Sequence, residues 1–189
     1  KLYINKVDSK LDDKFVKYIH IIKQNSYRLL RIINNLIDII KIDANSFETK
    51  FENVDIVDVV NDIVLSVEDY MKEQQRDFKF ESTLDNKIIA CSPFEIERII
   101  LNLLSNAVKF TDQGDEIKVS LLDRGDNIVI SVKDTGIGMK EEEQKFVFKE
   151  FKQIDRSLNR NQEGSGLGLS IVKSLVEVHE GKIYLKSKY

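Results

Sequence analysis

The sequence predicts an α+β fold: a two-layer α/β sandwich, helices on one face of a mixed sheet, preceded by a long bundle-type helix. Three observations predict it. Apolar residues recur in alternating three- and four-residue steps from about Asp12 to Asp43. Beyond that stretch, short strand patterns and helix patterns mix without the regular βαβ alternation of a parallel sheet. The chain has 189 residues and 42% hydrophobic content, enough for one full domain plus an extra element, or two small domains.

In the first helix, Ile19, Ile22, Ser26, Leu29, Ile33, Leu36 and Ile40 form an a/d seam. Leu30, Ile32, Ile37 and Ile39 widen the stripe beyond what a two-stranded zipper needs. That favours a bundle over a zipper, and the helix is long for a surface helix of one globular domain. The segment ANSFETKFENVD breaks the period and reads as a connector. A second helix follows from about Ile56 to Gln74, with Val59, Ile63 and Val67 at helical spacing. DFKFES alternates as a strand does, and KIIAC is a short apolar run. Ser92 as N-cap and Pro93 at the first helical position then start a helix over 93–110. Its expected core face is Ile96, Ile100, Leu103, Ala107 and Phe110. EIKVSLLD and NIVISVKD, joined at Arg124 to Asp126, predict a hairpin. A short helix near Lys140 to Phe148, a polar stretch, a last helix from about Leu167 to His179 and a strand KIYLKSKY complete the chain.

Composition narrows the function classes. A net charge of −3 with interspersed signs gives no electrostatic argument for nucleic acid or an anionic membrane. Cys91 is the single cysteine, which forbids an intrachain disulfide and suits a reducing compartment. The two histidines show no HExxH spacing and there is no CxxC, so a structural zinc site is not expected. No apolar run approaches the roughly 20 residues of a membrane span. The start lacks an initiator Met and a signal-type apolar core, and so reads as lying inside a longer chain.

Three constellations carry chemistry. On the helix of 93–110, Arg98, Asn102, Asn106 and Lys109 share one stripe about 100° from the core face. Asparagine is a poor helix-interior residue, so two beside a lysine suggest a phosphate–metal site, with amide oxygens on Mg²⁺ and lysine on phosphate. A solvated polar face with two incidental asparagines is the alternative. DTGIGM, Asp134 to Met139, follows a strand; its glycines allow a sharp turn and close approach to a flat ligand, and its Asp can accept from an exocyclic amine. An ordinary Asp-Gly turn would look the same. GSGLGLS, Gly164 to Ser170, opens a helix whose N–H groups can face phosphate. It is neither a Rossmann fingerprint nor a P-loop by spacing, and the alternative is a flexible linker.

Taken in this order, the three constellations resemble the GHKL (Bergerat) ATP-binding fold. Within it, the chain is similar to the catalytic and ATP-binding domain of sensor histidine kinases of two-component systems, over essentially all residues. NLLSNAVKF resembles the N box, DTGIG the G1 box, FKEF (Phe148 to Phe151) the F box and GSGLGL the G2 box. RLLRIINNLIDIIKID resembles the second helix of the dimerisation and histidine-phosphotransfer domain. The resemblance implies a partial phosphotransfer domain over 1–48 and a catalytic domain over 49–189. It implies ATP and Mg²⁺ as cofactors, with Asn106 holding the ion, Asn102 close by and Lys109 on the phosphates as the catalytic set. Asp134 would read the adenine amino group in a pocket shaped by Gly136, Ile137 and Gly138 and bordered by Phe110. Gly164, Gly166 and Gly168, with Ser165, Leu167 and Leu169 among them, would form the hinge and phosphate-facing turn of a lid. Phe148 and Phe151 would anchor that lid, and Arg156 and Arg160 would reach the γ-phosphate. The implied partners are a response-regulator receiver domain and a second copy through the helical bundle, without nucleic acid. The implied location is the cytoplasmic portion of a protein whose membrane anchor, if it has one, lies upstream.

Hydrolytic relatives of this fold, the gyrase, heat-shock chaperone and mismatch-repair ATPases, place a water-activating glutamate four residues before the metal-binding asparagine. Here that position is Asn102, whose amide cannot accept a proton at neutral pH. The implied site therefore holds Mg·ATP and aligns its γ-phosphate for a histidine nucleophile. An anti-sigma-factor type serine kinase, or a degenerate nucleotide-binding module acting by contact, are the alternatives. The chain departs from the family in its histidines. His20 has no acid beside it and no nearby proline, and His179 reads as a helix-end residue, so neither is the acceptor and self-phosphorylation is not expected. KIYLKSKY would normally turn back into a final strand, so the domain reads as clipped there.

Overall fold

In the computed structural model, residues 9–44, 47–149 and 166–189 are described. Helix α1 covers Ser9–Asp43, and strand β1 (Glu52–Asp55) leads into α2 (Ile56–Glu73). Strands β2 (Asp77–Ser82) and β3 (Ile88–Cys91) precede α3 (Pro93–Phe110). The hairpin β4 (Glu116–Asp123) and β5 (Ile128–Asp134), short α4 (Glu141–Gln144) and α5 (Gly168–Val178) follow.

The sheet is mixed, as the pattern predicts: β2 pairs parallel with β4, and β4 pairs antiparallel with β5. A separate antiparallel ladder joins β1 and β3. Period two on β4 puts Ile117, Val119 and Leu121 fully inside, against helices that bury Ile56, Val60 and Ile63 from α2, Ile96, Ile99, Ile100 and Leu104 from α3, and Ile171, Val172 and Leu175 from α5. Each such side chain contributes roughly 1.5–3 kcal/mol of burial, which is why these helices lie on one face of the sheet. Asp134 ends β5 at the position paired with the buried Ile117, so the strand delivers it on the side where α3 packs.

Capping fixes the helix starts. The Asp55 carboxylate accepts the Val57 N–H (2.9 Å) at the head of α2 and the Lys87 N–H (3.0 Å) beside it. Ser92 caps α3 by accepting the Glu95 N–H (3.4 Å), with Pro93 at the first helical position. His179 ties the far end of α5 to the same cap. Its Nε2 lies 3.1 Å from the Ser92 N–H, which can only donate, so the proton sits on Nδ1 and bonds the Leu175 carbonyl at 2.8 Å. Phe51 packs on the ring, centroids 5.0 Å apart.

Four expectations are corrected. The connector ANSFETKFENVD contains strand β1, which alternation in four residues is too short to announce. The core face of α3 is rotated: Ile99 and Leu104 are buried, while Leu103 and Phe110 are only half-buried, because α5 packs beside α3 and α2 packs on its other flank. The helix expected near 140–148 is a single turn, Glu141–Gln144, followed by turns. KIYLKSKY joins no ladder among the described residues. Glu180, at φ 54°, turns the chain sharply after α5, and the tail is drawn over the loop after β5, where Ser187 Oγ accepts the Met139 N–H (2.9 Å).

Helix α1 touches α5, with Ile32 against the core and Asn35 buried. Its a/d apolar residues, Ile19, Ile22, Leu29, Ile33, Leu36 and Ile40, remain 39–64% exposed. No helix among the described residues is long and apolar enough to cross a membrane.

Two outcomes follow from these contacts. His179→Ala strands the Ser92 N–H and should destabilise the fold by about 1–3 kcal/mol in urea denaturation, since a buried donor loses its acceptor. At the hairpin, the Gly125 N–H (2.7 Å) and the Lys87 ammonium (3.2 Å) hold the Asp123 carboxyl below the usual carboxylate range. A depressed carboxylate stabilises the fold above its unfolded pKa, near 3.9, and that contribution disappears as pH falls through the lowered folded value. Lys87→Met should therefore raise the Asp123 titration midpoint in an NMR pH series, and the acid-unfolding midpoint with it.

Candidate functional site

The asparagine stripe faces the start of α5. Asn102 donates its Nδ2 to the Arg98 carbonyl (2.8 Å), which leaves its Oδ1 as the acceptor on the other side of the amide. A Cβ built on Gly168 would stand 3.3 Å from that Oδ1 and 3.9 Å from Asn106 Nδ2. Both amides thus line the first turn of a helix whose N–H groups lack intrahelical partners and whose dipole is positive there. Gly166, with φ of 72°, makes the left-handed turn into α5, and Leu167 behind it is fully buried. Leu169 is half-buried, and Ser170 closes the turn by donating to the Leu167 carbonyl (2.9 Å). From Gly166 onward the stretch is therefore an anchored helix start.

The loop after β5 meets the opposite end of α3. The Ile137 N–H donates to the Phe110 carbonyl (3.1 Å), and a Cβ on Gly136 would fall 2.1 Å from that same oxygen. Only glycine fits there. Asp134 is exposed, and its Oδ1 accepts the Gly136 N–H (3.0 Å). Gly138, at φ 63°, is pressed against the Lys188 carbonyl, 1.7 Å from where its Cβ would be. Lys109 holds its ammonium 4.9 Å from the centre of the Phe110 ring, a cation–π contact at the edge of the same site.

One helix therefore carries both ends of the site, the asparagines toward α5 and Phe110 toward the Asp134 loop. Phe148 is half-buried just beyond α4. Phe151, Arg156, Arg160, Gly164 and Ser165, also predicted for the site, lie outside the described residues.

Sequence reasoning missed the residues that hold the Asp134 loop. Thr135 Oγ1 accepts the Glu116 N–H (3.0 Å) and donates to Asp115 (3.2 Å), pinning the end of β5 to the start of β4. Its place inside DTG was a readable signal. Gln144 donates to the Met139 and Ser187 carbonyls (2.9 and 3.1 Å), and Arg76 braces the end of α3; neither has a local motif.

Residues 91–189 match the family model described as histidine kinase-, DNA gyrase B-, and HSP90-like ATPase. Among curated proteins, hybrid signal transduction histidine kinase L of Dictyostelium discoideum is 38% identical over 192 residues, covering 97% of this chain. The curated relatives it matches first are far longer: the chain spans 11–12% of their length. The solved structure of full-length ShkA in complex with AMPPNP aligns with a TM-score of 0.72 at 23% identity, over 85% of this chain and 33% of that one. Histidine kinase ThkA in complex with the response regulator protein TrrA aligns at 0.67 and 23%, over 87% and 45%. At these identities the likeness of the two structures is one of fold.

The two glycines predict opposite consequences of one methyl group. Gly136→Ala meets a backbone oxygen and should cost about 1–3 kcal/mol of overpacking, with faster amide exchange at Ile137. Gly168→Ala meets only a side-chain oxygen and replaces a helical glycine, so chemical denaturation should find stability kept or raised by up to about 1 kcal/mol. The Asn102 amide, the only side chain the new methyl crowds, should nonetheless give way, read as a shift of its side-chain resonance by NMR.

Proposed function

The chain belongs to the histidine kinase-, DNA gyrase B- and HSP90-like ATPase family, and we propose that it is the ATP-binding kinase domain of a two-component sensor histidine kinase, with part of the bundle helix before it. A domain boundary near residue 48 is supported by the break between the end of α1 and the start of β1. The observation that carries the reading is the packing of Asn102 and Asn106 against Gly168, which sets two amides beside a helix N-terminus. Phosphate oxygens suit that arrangement. Asp134, beyond the other end of α3, would accept from the adenine amino group, with Gly136, Ile137 and Gly138 keeping the loop flat enough for a base to lie on it.

The donor set fits Mg²⁺ brought in with a triphosphate. That ion prefers oxygen ligands, keeps several waters and substrate oxygens, and takes few groups from protein. The Asn106 amide oxygen would be such a ligand, and no cluster of three His, Cys, Asp or Glu stands ready for a metal among the described residues. When bound, the ion would neutralise charge on the transferred phosphoryl group. Asn106 would hold it, Lys109 would swing from the Phe110 ring to the phosphates, and the α5 N-terminus would orient the anion. Asn102 offers no proton acceptor to water, so the site aligns the γ-phosphate without hydrolysing it quickly.

The nucleophile would be a histidine on a helix outside these 189 residues. His179 cannot serve while both ring nitrogens hold the Ser92 and Leu175 backbone. From that histidine the phosphoryl group would pass to an aspartate of a response-regulator receiver domain. The exposed seam of α1 has the width and spacing of a bundle face, and a second copy would cover it in a homodimer.

Calorimetric titration with a non-hydrolysable ATP analogue, with and without Mg²⁺, tests the nucleotide site. Mg²⁺-dependent binding is expected, and Asp134→Asn should weaken it by about 10- to 100-fold through loss of a charged acceptor. Binding that ignores both Mg²⁺ and the Asp134 substitution would sink the reading. Radiolabel transfer from ATP to a phosphotransfer domain carrying the acceptor helix, added in trans, then separates a kinase from a passive binding module.

A further inference from the structure

Helix α2 ends in an unusual way. The Gln75 and Arg76 N–H groups bond back to the Lys72 (2.9 Å) and Met71 (3.1 Å) carbonyls, the two bonds of a Schellman motif. The left-handed position in that motif is normally glycine, yet here it is Gln75 at φ 56°. A side chain there is strained, because its Cβ crowds the backbone in the left-handed conformation. The turn throws Arg76 across the C-terminus of α3, thirty-odd residues on in sequence.

The guanidinium grips that terminus at several points. Arg76 Nη2 donates to the Thr111 carbonyl (2.6 Å) and more weakly to the Val108 carbonyl (3.4 Å), and Nε donates to Thr111 Oγ1 (3.0 Å). Nη1 closes the fork on the Gln74 carbonyl. Thr111, the C-cap of α3 and buried, donates its own hydroxyl to the Ala107 carbonyl (2.8 Å). Arginine thus serves Val108 directly and Ala107 through threonine, a favourable place for a cation at a helix C-terminus. The Phe110 carbonyl goes instead to Ile137. Because Gly136 leaves no slack against that oxygen, the end of α3 and the Asp134 loop move together or not at all.

We propose that Arg76 is a positioning residue for the nucleotide base: by clamping the end of α3 it sets where the Phe110 carbonyl stands, and through Ile137 it sets the height of the Asp134 carboxylate over the base. This rests on the reading of Asp134 as the group that accepts from adenine. The strained Gln75 turn is then retained for aim, since a relaxed turn would point Arg76 elsewhere. Lysine cannot replace it, for an ammonium lacks the planar fork that reaches the Thr111 carbonyl and hydroxyl together.

The test compares Arg76→Gln and Arg76→Lys with His179→Ala, a substitution at the far end of α3, at a temperature where all are folded. Non-hydrolysable ATP and GTP analogues are titrated with Mg²⁺, and amide exchange at Ile137 is measured without nucleotide. Arg76→Gln should lose about tenfold in ATP affinity and narrow the ATP-to-GTP ratio by a similar factor, while the response to Mg²⁺ stays as in wild type. Ile137 should exchange faster, and Arg76→Lys should recover only part of both effects. His179→Ala should lower the melting temperature and leave the ratio and Ile137 untouched. An Arg76→Gln chain that keeps the wild-type ratio or wild-type Ile137 exchange overturns the proposal alone. A wild-type chain that binds neither analogue overturns the Asp134 reading and the proposal together.

Discussion

The carbonyl of Phe110 is the point on which the site turns. A helix leaves its last carbonyls without intrahelical donors, and a buried helix end must find donors elsewhere. Helix α3 finds them in three places: the Thr111 hydroxyl, the Arg76 guanidinium and the Ile137 N–H. The last of these lies in the loop after β5, so satisfying the helix also fastens the loop. Gly136 is forced by the same contact, because no Cβ can stand beside that oxygen. A requirement of hydrogen bonding thus becomes a requirement on sequence, and the D-x-G-x-G pattern is its visible trace.

This constraint explains how one helix could serve both halves of the proposed nucleotide. Asn102 and Asn106 lie one turn apart on α3 and look toward α5, whereas Phe110, another turn on, looks toward Asp134. A helix rises about 5.4 Å per turn, so these contacts are spread over about 12 Å, the scale of a nucleotide from base to phosphates. The core residues between them, Leu104 and Ala107, are buried under 4% exposed and keep the helix from rolling. Geometry at one end is therefore rigidly related to geometry at the other, which is what alignment of a transferable phosphoryl group needs.

Much of this was legible in the sequence wherever a local rule applies. Ser92–Pro93 located the start of α3, alternation located β2, β4 and β5, and the glycine patterns located the Asp134 loop and the entry to α5. Local rules failed where a partner distant in sequence decides. Leu103 and Ile99 are equally apolar, and only the placement of α5 and α2 around α3 buries one and half-exposes the other. Strand β1 exists because β3 is there to pair with it. The segment KIYLKSKY has strand composition, but the turn at Glu180 and the hold of Ser187 on Met139 take it out of any ladder. Arg76 was invisible for the same reason: its partners are 32 and 35 residues away.

The absence of a carboxylate at position 102 gives the arrangement its chemical sense. A glutamate there would sit next to the start of α5 and could take a proton from water attacking a γ-phosphate. Asparagine in the same place keeps a polar contact and is itself fixed, because its amide N–H₂ is tied to the Arg98 carbonyl. At the asparagine end, the described groups are donors and neutral acceptors: Lys109, the dipole of α5 and the amides of Asn102 and Asn106. In the proposed function, such a site would lower the barrier by holding and neutralising the phosphoryl group, and would depend on a nucleophile that brings its own basicity. Imidazole is that nucleophile among side chains, being mostly unprotonated at neutral pH, whereas a serine hydroxyl would itself need the missing carboxylate. Asn102 thus favours histidine over serine as the proposed acceptor on chemical grounds, and the rate of uncoupled hydrolysis is the property on which the proposed kinase and an ATPase would part.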